Sequence, residues 1–184
     1  MNVSRALKEI FKQDFSCLAE NIYLKDSFGR TLSKPIAIKK NIPEFDTSSM
    51  DGFAVRKSSL GKIGRFTVLG ETPAGARSSY TIKPNECVKV YTGSRMPKNA
   101  DFVVIQENTL SQGNFMYVND YDKKSSYVRK TGLDFKKGQI ISNPMLIDYK
   151  LISALASLNL EKVSVIKKPK VCIIPTGNEI LALG

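Results

Sequence analysis

A chain of 184 residues with 42% hydrophobic and 24% charged side chains has enough apolar material for one full domain or two small ones, and it is not the composition of a disordered segment. Its formal net charge of +11 draws anions without choosing among phosphates, oxyanions, nucleic acid and acidic lipid. Histidine is absent, which removes Ser–His and Cys–His catalysis and histidine-based metal sites, so any chemistry must use carboxylates, hydroxyls, Lys or Arg, and backbone amides.

The first segment, Ser4 to Glu20, places Leu7, Ile10, Phe11, Phe15 and Leu18 on one face of an amphipathic helix with Ser4 as a cap. It is charged, lacks a secretory core, and no later apolar run is long enough to span a bilayer, so the expected compartment is the cytoplasm. Gly29 marks a turn and Pro35 to Ile38 a short strand. Short apolar runs at Phe66 to Leu69, Cys87 to Tyr91, Phe102 to Ile105 and Phe115 to Val118 predict strands of a β-rich domain, separated by turns at Pro73–Ala76, Lys83–Glu86 and Ser111–Asn114. Tyr149 to Leu158 reads as a helix, with Asn159 where a left-handed residue ends it, and Val163 to Ile166 as a strand. Val171 onward reads as a buried strand leading into the turn Thr176-Gly177-Asn178-Glu179, the place where α/β folds gather ligands.

Cys17, Cys87 and Cys172 are far apart and lack CxxC spacing, so they read as buried thiols. The lysine pairs at 39–40, 123–124, 136–137 and 167–168 are scattered, without a basic tract or aromatic interleaving, and read as solvated surface more than as a nucleic-acid footprint.

Four segments could carry chemistry. In Phe45 to Arg56, FDTSSMDGFAVR, the residues Asp46, Ser48, Ser49, Asp51 and Gly52 bend backbone or bind ligands, ahead of Phe53–Val55, which can only bury themselves. Asp51 either caps a turn beside Gly52 or faces a ligand, and the roles are compatible. Thr92-Gly93-Ser94 is a hydroxyl-lined turn able to present amides and side-chain donors to an oxyanion. Arg129 and Asp134 fit an ion pair as well as a functional element. Glu179 fits a helix-start glutamate beside the positive dipole end.

Five blocks, LKDSFGRTLSKPI from Leu24, PEFDTSSMDGFAVR from Pro43, VYTGSRMPKNADFVVIQEN from Val90, VRKTGLDFKKGQII from Val128 and PKVCIIPTGNEILALG from Pro169, resemble in order and spacing the MoeA family. These are the molybdopterin molybdenumtransferases, which include the gephyrin E domain. The resemblance covers almost the whole chain, while the chain covers the first half of the family's length. It implies an α+β fold, with a β-rich central domain inserted into a small mixed α/β arm, plus the first strand of an incomplete MoeA-type α/β domain. The implied boundaries are a helix at 1–20 packing on the α/β domain, an arm at 21–45 and 129–168, a β-rich domain at 46–128 and the α/β start at 169–184.

The implied reaction inserts molybdate into adenylylated molybdopterin with release of AMP, at a site between the protomers of a homodimer. Asp51, Thr92, Asp134 and Glu179 carry over as catalytic residues. Ser48, Ser49, Gly93, Ser94, Thr176 and Gly177 carry over as cofactor-binding residues, and Glu179 as the Mg2+ ligand. Phe53 stands where relatives most often have tyrosine, Asn178 replaces a frequent aspartate, and Arg95 and Lys98 depart from the commoner pattern. The chain is expected to be inactive alone. The rival readings are a non-catalytic dimerisation or scaffold module of a MoeA-like protein and a basic nucleic-acid binder.

Overall fold

The computed structural model describes residues 2–13, 17–77, 79–175, 177 and 179–181. In chain order the elements are α1 (Val3–Phe11), β1 (Ala19–Tyr23), β2 (Ile36–Ala37), β3 (Thr47–Ser48), β4 (Gly52–Val55), β5 (Phe66–Thr72), β6 (Glu86–Val90), β7 (Phe102–Ile105), β8 (Thr109–Gln112), β9 (Phe115–Val118), β10 (Val128–Arg129), β11 (Ile140–Ile141), α2 (Tyr149–Ser157) and β12 (Lys162–Ile166). The architecture is α+β, and the chain divides into two compact units, Ala37–Ile140 and the flanking Met1–Ile36 with Ile141–Gly184.

The central unit is built on a six-stranded sheet in the order β7-β4-β6-β5-β9-β8. Every residue of β4, Gly52–Val55, is buried, because successive side chains alternate faces and both faces are covered. Phe53 and Val55 join one core with Phe66, Cys87, Phe102, Val104 and Met116, while Ala54 joins the opposite one with Ile82, Val88, Val90, Met96 and Val103. β6 and β7 divide in the same way, Cys87 and Phe102 to the first core, Val88 and Val103 to the second. This unit runs from 37 to 140 and is longer than the anticipated 46–128, because residues flanking the sheet pair with one another: β3 with β10, and Ile42 with Phe135.

The flanking unit packs α2 and the β1–β12 ladder around Leu24, Leu32, Ile147, Leu155, Val163 and Val165. The Asp148 side chain caps α2 by accepting from the Leu151 amide at 2.8 Å, and Asn159 ends it in the left-handed region at φ 59, as the sequence suggests. The predicted first helix is shorter than Ser4 to Glu20. It ends at Phe11, Asn2 rather than Ser4 caps it by accepting from the Arg5 amide, and Ala19–Tyr23 form a strand. Pairing with Lys162–Ile166 takes Ala19 and Glu20, the end of the expected helix, into the strand, and Leu18 lies outside the helix. Phe15 lies outside the described residues. Val3, Leu7, Ile10 and Phe11 are exposed.

Two further expectations change. Residues 171–175 form no strand, and Val171, Ile173 and Ile174 are exposed, since no described strand pairs with them. Of the three cysteines only Cys87 is buried, where desolvation pushes its thiol up to about 12, and Cys17 and Cys172 are exposed. No described helix is long and apolar enough to cross a membrane.

Gly52 sits where β4 passes closest to β7. A Cβ there would lie 2.1 Å from the Val104 carbonyl oxygen, so any side chain forces the strands apart. Gly52→Ala is expected to cost about 1–3 kcal/mol of unfolding free energy, read from urea midpoints at constant slope. An unchanged midpoint would contradict the close approach.

Candidate functional site

In the antiparallel ladder of β4 and β6, Gly52 stands opposite Val90. Asp51, one residue before, and Thr92, two residues after, therefore meet just beyond the ladder's end. Asp51 Oδ1 accepts hydrogen bonds from the Thr92 amide at 2.7 Å and the Thr92 hydroxyl at 2.9 Å. These bonds, amide first and hydroxyl second, hold the Asp51 carboxyl below its ordinary value, outweighing a desolvation contribution and helped by the charge of Lys89. Asp51 is exposed and ionised at neutral pH. Its second oxygen, Oδ2, has no hydrogen-bond partner among the described residues.

The turn after Thr92 is locked from inside. Gly93, at φ 86, donates its amide to the Ser48 carbonyl at 2.8 Å, and Ser94 donates its amide to the Tyr91 carbonyl at 2.8 Å. The buried Ser94 hydroxyl donates to the Thr72 carbonyl at 2.6 Å and accepts from the Tyr91 amide. Ser48, also buried, donates its hydroxyl to the Met50 carbonyl at 2.5 Å and its amide to the Ser94 carbonyl. Ser49 is half-buried, and its amide donates to the Tyr127 carbonyl. Each backbone donor of the Thr92–Ser94 turn is thus engaged within the protein, unlike the open, amide-presenting turn anticipated from sequence. Asp51 is the reason at the first position, since it takes both Thr92 donors.

Asp134 receives two hydrogen bonds from Arg129 Nη2, at 2.9 and 2.7 Å. The ion pair is exposed, but β10 carries Arg129 opposite Thr47, beside Ser48, so it stands on the ladder that borders the Asp51 loop. Gly177 and Glu179 are exposed residues of the flanking unit, with Gly177 at φ 116 and the Ile180 amide donating to its carbonyl. Thr176 lies outside the described residues. The central unit therefore gathers Asp51, Thr92, Gly93, Ser94, Ser48 and Ser49 into one cluster, with Asp134 held by Arg129 of the adjoining ladder. No group of three or more acidic or cysteine side chains arranged to hold a metal occurs among the described residues.

Asp46 and two arginines carry more weight than sequence reasoning gave them. Asp46 accepts from Lys130 Nζ at 2.8 Å and from the Thr131 amide and hydroxyl at 2.9 and 3.1 Å, while its carbonyl accepts from the Met96 amide. The Arg95 guanidinium lies over the Phe45 ring, 4.7 Å from its centroid, and lines with Arg77 a cavity of 490 Å³. The available signal was the pair of cations in the two loops flanking β6.

The family model for the MoeA N-terminal region, domain I and II, matches residues 1–159. The chain belongs to this family. It is 34% identical over 187 residues to a molybdopterin molybdenumtransferase of Staphylococcus epidermidis, across 98% of this chain and 45% of that protein. It is 30% identical over 161 residues to one from a Nostoc species, across 84% and 37%. The crystal structure of a molybdopterin biosynthesis MoeA protein from Pyrococcus horikoshii superposes at TM-score 0.80 with 25% identity, across 98% of this chain and 50% of that one. This MoeA N-terminal chain thus spans about half the length of the relatives it matches.

Asp46 gives a test of how the loop is held. Partial burial pushes its carboxyl up, but hydrogen bonds from Lys130 and from the Thr131 amide and hydroxyl, with the Lys130 charge, bring it below the ordinary value of 3.8. A value lower in the folded chain means stabilisation fully present above that ordinary value and lost as pH falls through the folded one. Asp46→Asn is expected to lower the urea midpoint at neutral pH and to converge with the parent in acid. An equal gap at every pH would contradict a contribution from the ionised carboxylate.

Proposed function

We propose that this chain serves molybdenum cofactor biosynthesis by supplying the Asp51–Thr92 loop to MoeA-type insertion of molybdate into adenylylated molybdopterin, with release of AMP. The observation that carries the reading is the Asp51–Thr92 pair itself. Two positions 41 residues apart, both singled out for the same site, share one carboxylate oxygen and leave the other oxygen ionised and exposed. In this role Thr92 orients the carboxylate, and Oδ2 accepts a hydrogen bond from a substrate N–H as the pterin seats. The Arg129–Asp134 pair borders the same loop and steadies it. Homodimerisation, completing the site with residues of a second protomer, and action in the cytoplasm belong to the same proposal.

Mg2+ fits this chain as a shared ion. Glu179 offers one exposed hard oxygen ligand, and Mg2+ keeps waters and takes substrate phosphate oxygens alongside one or two carboxylates. When bound with the phosphates it would neutralise the charge of the departing AMP. Thr176 and Gly177, carried over from the family resemblance as binding residues, belong to the same proposal.

A non-catalytic interaction module is the second reading. The exposed Val3, Leu7, Ile10 and Phe11 of α1 favour it, because they form an apolar stripe at helical spacing. Light scattering that finds dimers, with no turnover under any condition, would support it over the enzyme reading.

The enzyme reading is tested by AMP release from adenylylated molybdopterin and molybdate. The 184-residue chain alone is expected to release none. Fused to the remainder of the Staphylococcus epidermidis relative it is expected to turn over, and Asp51→Asn in that fusion to slow it by about 10²-fold. Turnover by the chain alone would refute the dependence on a second half, and full activity of the Asp51→Asn fusion would refute the role of the loop.

A further inference from the structure

We propose that the cavity holding Arg77 and Arg95 is a binding site for a phosphoryl group. The cavity measures 490 Å³ and is lined by Glu44, Phe45, Gly75, Ala76, Arg77 and Arg95, all within the central unit. Arg95 is fixed at both ends. Its backbone bridges Thr47, and its guanidinium lies 4.7 Å from the centroid of the Phe45 ring. A guanidinium held over a ring by cation–π attraction keeps N–H donors for an acceptor, and arginine binds phosphate through two parallel bonds.

The cations are unspent. No carboxylate stands within ion-pair distance of Arg77 or Arg95 among the described residues. Glu44 is the one carboxylate of the lining, and it is paired at 2.5 Å with Lys40, so its charge is offset. Gly75, in the same lining and at φ 81, has nothing within 4 Å of where a Cβ would stand, so the backbone there is open to a ligand. Two arginines around a roomy cavity with its acid neutralised suit a dianion better than a neutral or monovalent ligand. A phosphoryl group matches the fork of each arginine. This inference stands on the cavity and does not require the molybdenum-insertion reading.

The test is calorimetric titration of the full chain with inorganic phosphate, pyrophosphate and molybdate at low ionic strength, repeated on Arg77→Gln, Arg95→Gln, Arg95→Lys and the surface control Lys8→Gln, with thermal melts to verify folding. Saturable binding of pyrophosphate is expected, weakened about tenfold by each Gln substitution through loss of a charge-assisted hydrogen bond. Arg95→Lys is expected to weaken it as well, since lysine keeps the charge and loses the fork, and Lys8→Gln to leave it unchanged. Molybdate binding more tightly than pyrophosphate would overturn the phosphoryl assignment. Absence of saturable binding, or an equal loss in Lys8→Gln, would overturn the site, the latter by showing attraction to diffuse charge.

Discussion

The Cβ that Gly52 lacks determines how close β4 can lie to β7, and that spacing sets where Asp51 stands. With the Val104 carbonyl oxygen 2.1 Å from the vacant Cβ position, only glycine lets the strands reach hydrogen-bonding distance at this register. The Gln106 amide then donates to the Asp51 carbonyl, and the Asp51 side chain is left at the sheet's end facing the turn that leaves β6. The strand behind it cannot yield, since Phe53, Ala54 and Val55 are committed to two cores on opposite faces. A flexible loop would have to lose conformational entropy each time the carboxylate met its partner. Here the sheet has already fixed it.

Holding Asp51 this way changes what the neighbouring turn can do. Its carboxylate consumes the Thr92 amide and hydroxyl, and Ser48 and Tyr91 consume the amides of Gly93 and Ser94. The turn has no backbone donor left for an oxyanion, so the loop faces solvent as an acceptor surface headed by Asp51 Oδ2. Anionic ligand groups therefore need donors from elsewhere. Lys89, the cation whose charge acts on Asp51, lies on β6, and the guanidinium groups of Arg77 and Arg95 lie in the loops on either side of that strand.

Legibility in the sequence followed the range of the interactions. Runs such as Phe102–Ile105 and Phe115–Val118 matched strands because local β-propensity and burial agree there. Asn159 was readable because so few residues accept a positive φ. Ala19–Tyr23 was not, because its partner lies beyond residue 160 and its first two residues continue the expected helix. Asp51 and Thr92 were legible as members of one site through motif resemblance. Their shared oxygen, and the engagement of every amide in the turn, depend on strand register that no local pattern encodes. Arg95 stood out as a departure from the family pattern, but its place over Phe45 requires the bridge between Thr47 and Arg95.

Two further contacts explain why the Asp51 loop is held along its length as well as at its tip. Asp46, at the entrance, fastens by its carboxylate to Lys130 and Thr131 and by its carbonyl to Met96. Thr47 and Ser48 pair with Arg129 and Val128, and Arg129 in turn holds Asp134. Exposed ion pairs of this kind add little stability individually. Their effect is positional: Lys130 ties 128–134 to Asp46, while the Met96 and Gly93 amides and Thr92 tie 91–96 to segment 46–51, so the three segments are held together. In the proposed role, where the Asp51 carboxylate presents one oxygen to substrate, that restraint matters more than any single strong bond, since misplacement of a reacting group by an ångström costs far more rate than a surface pair contributes to stability.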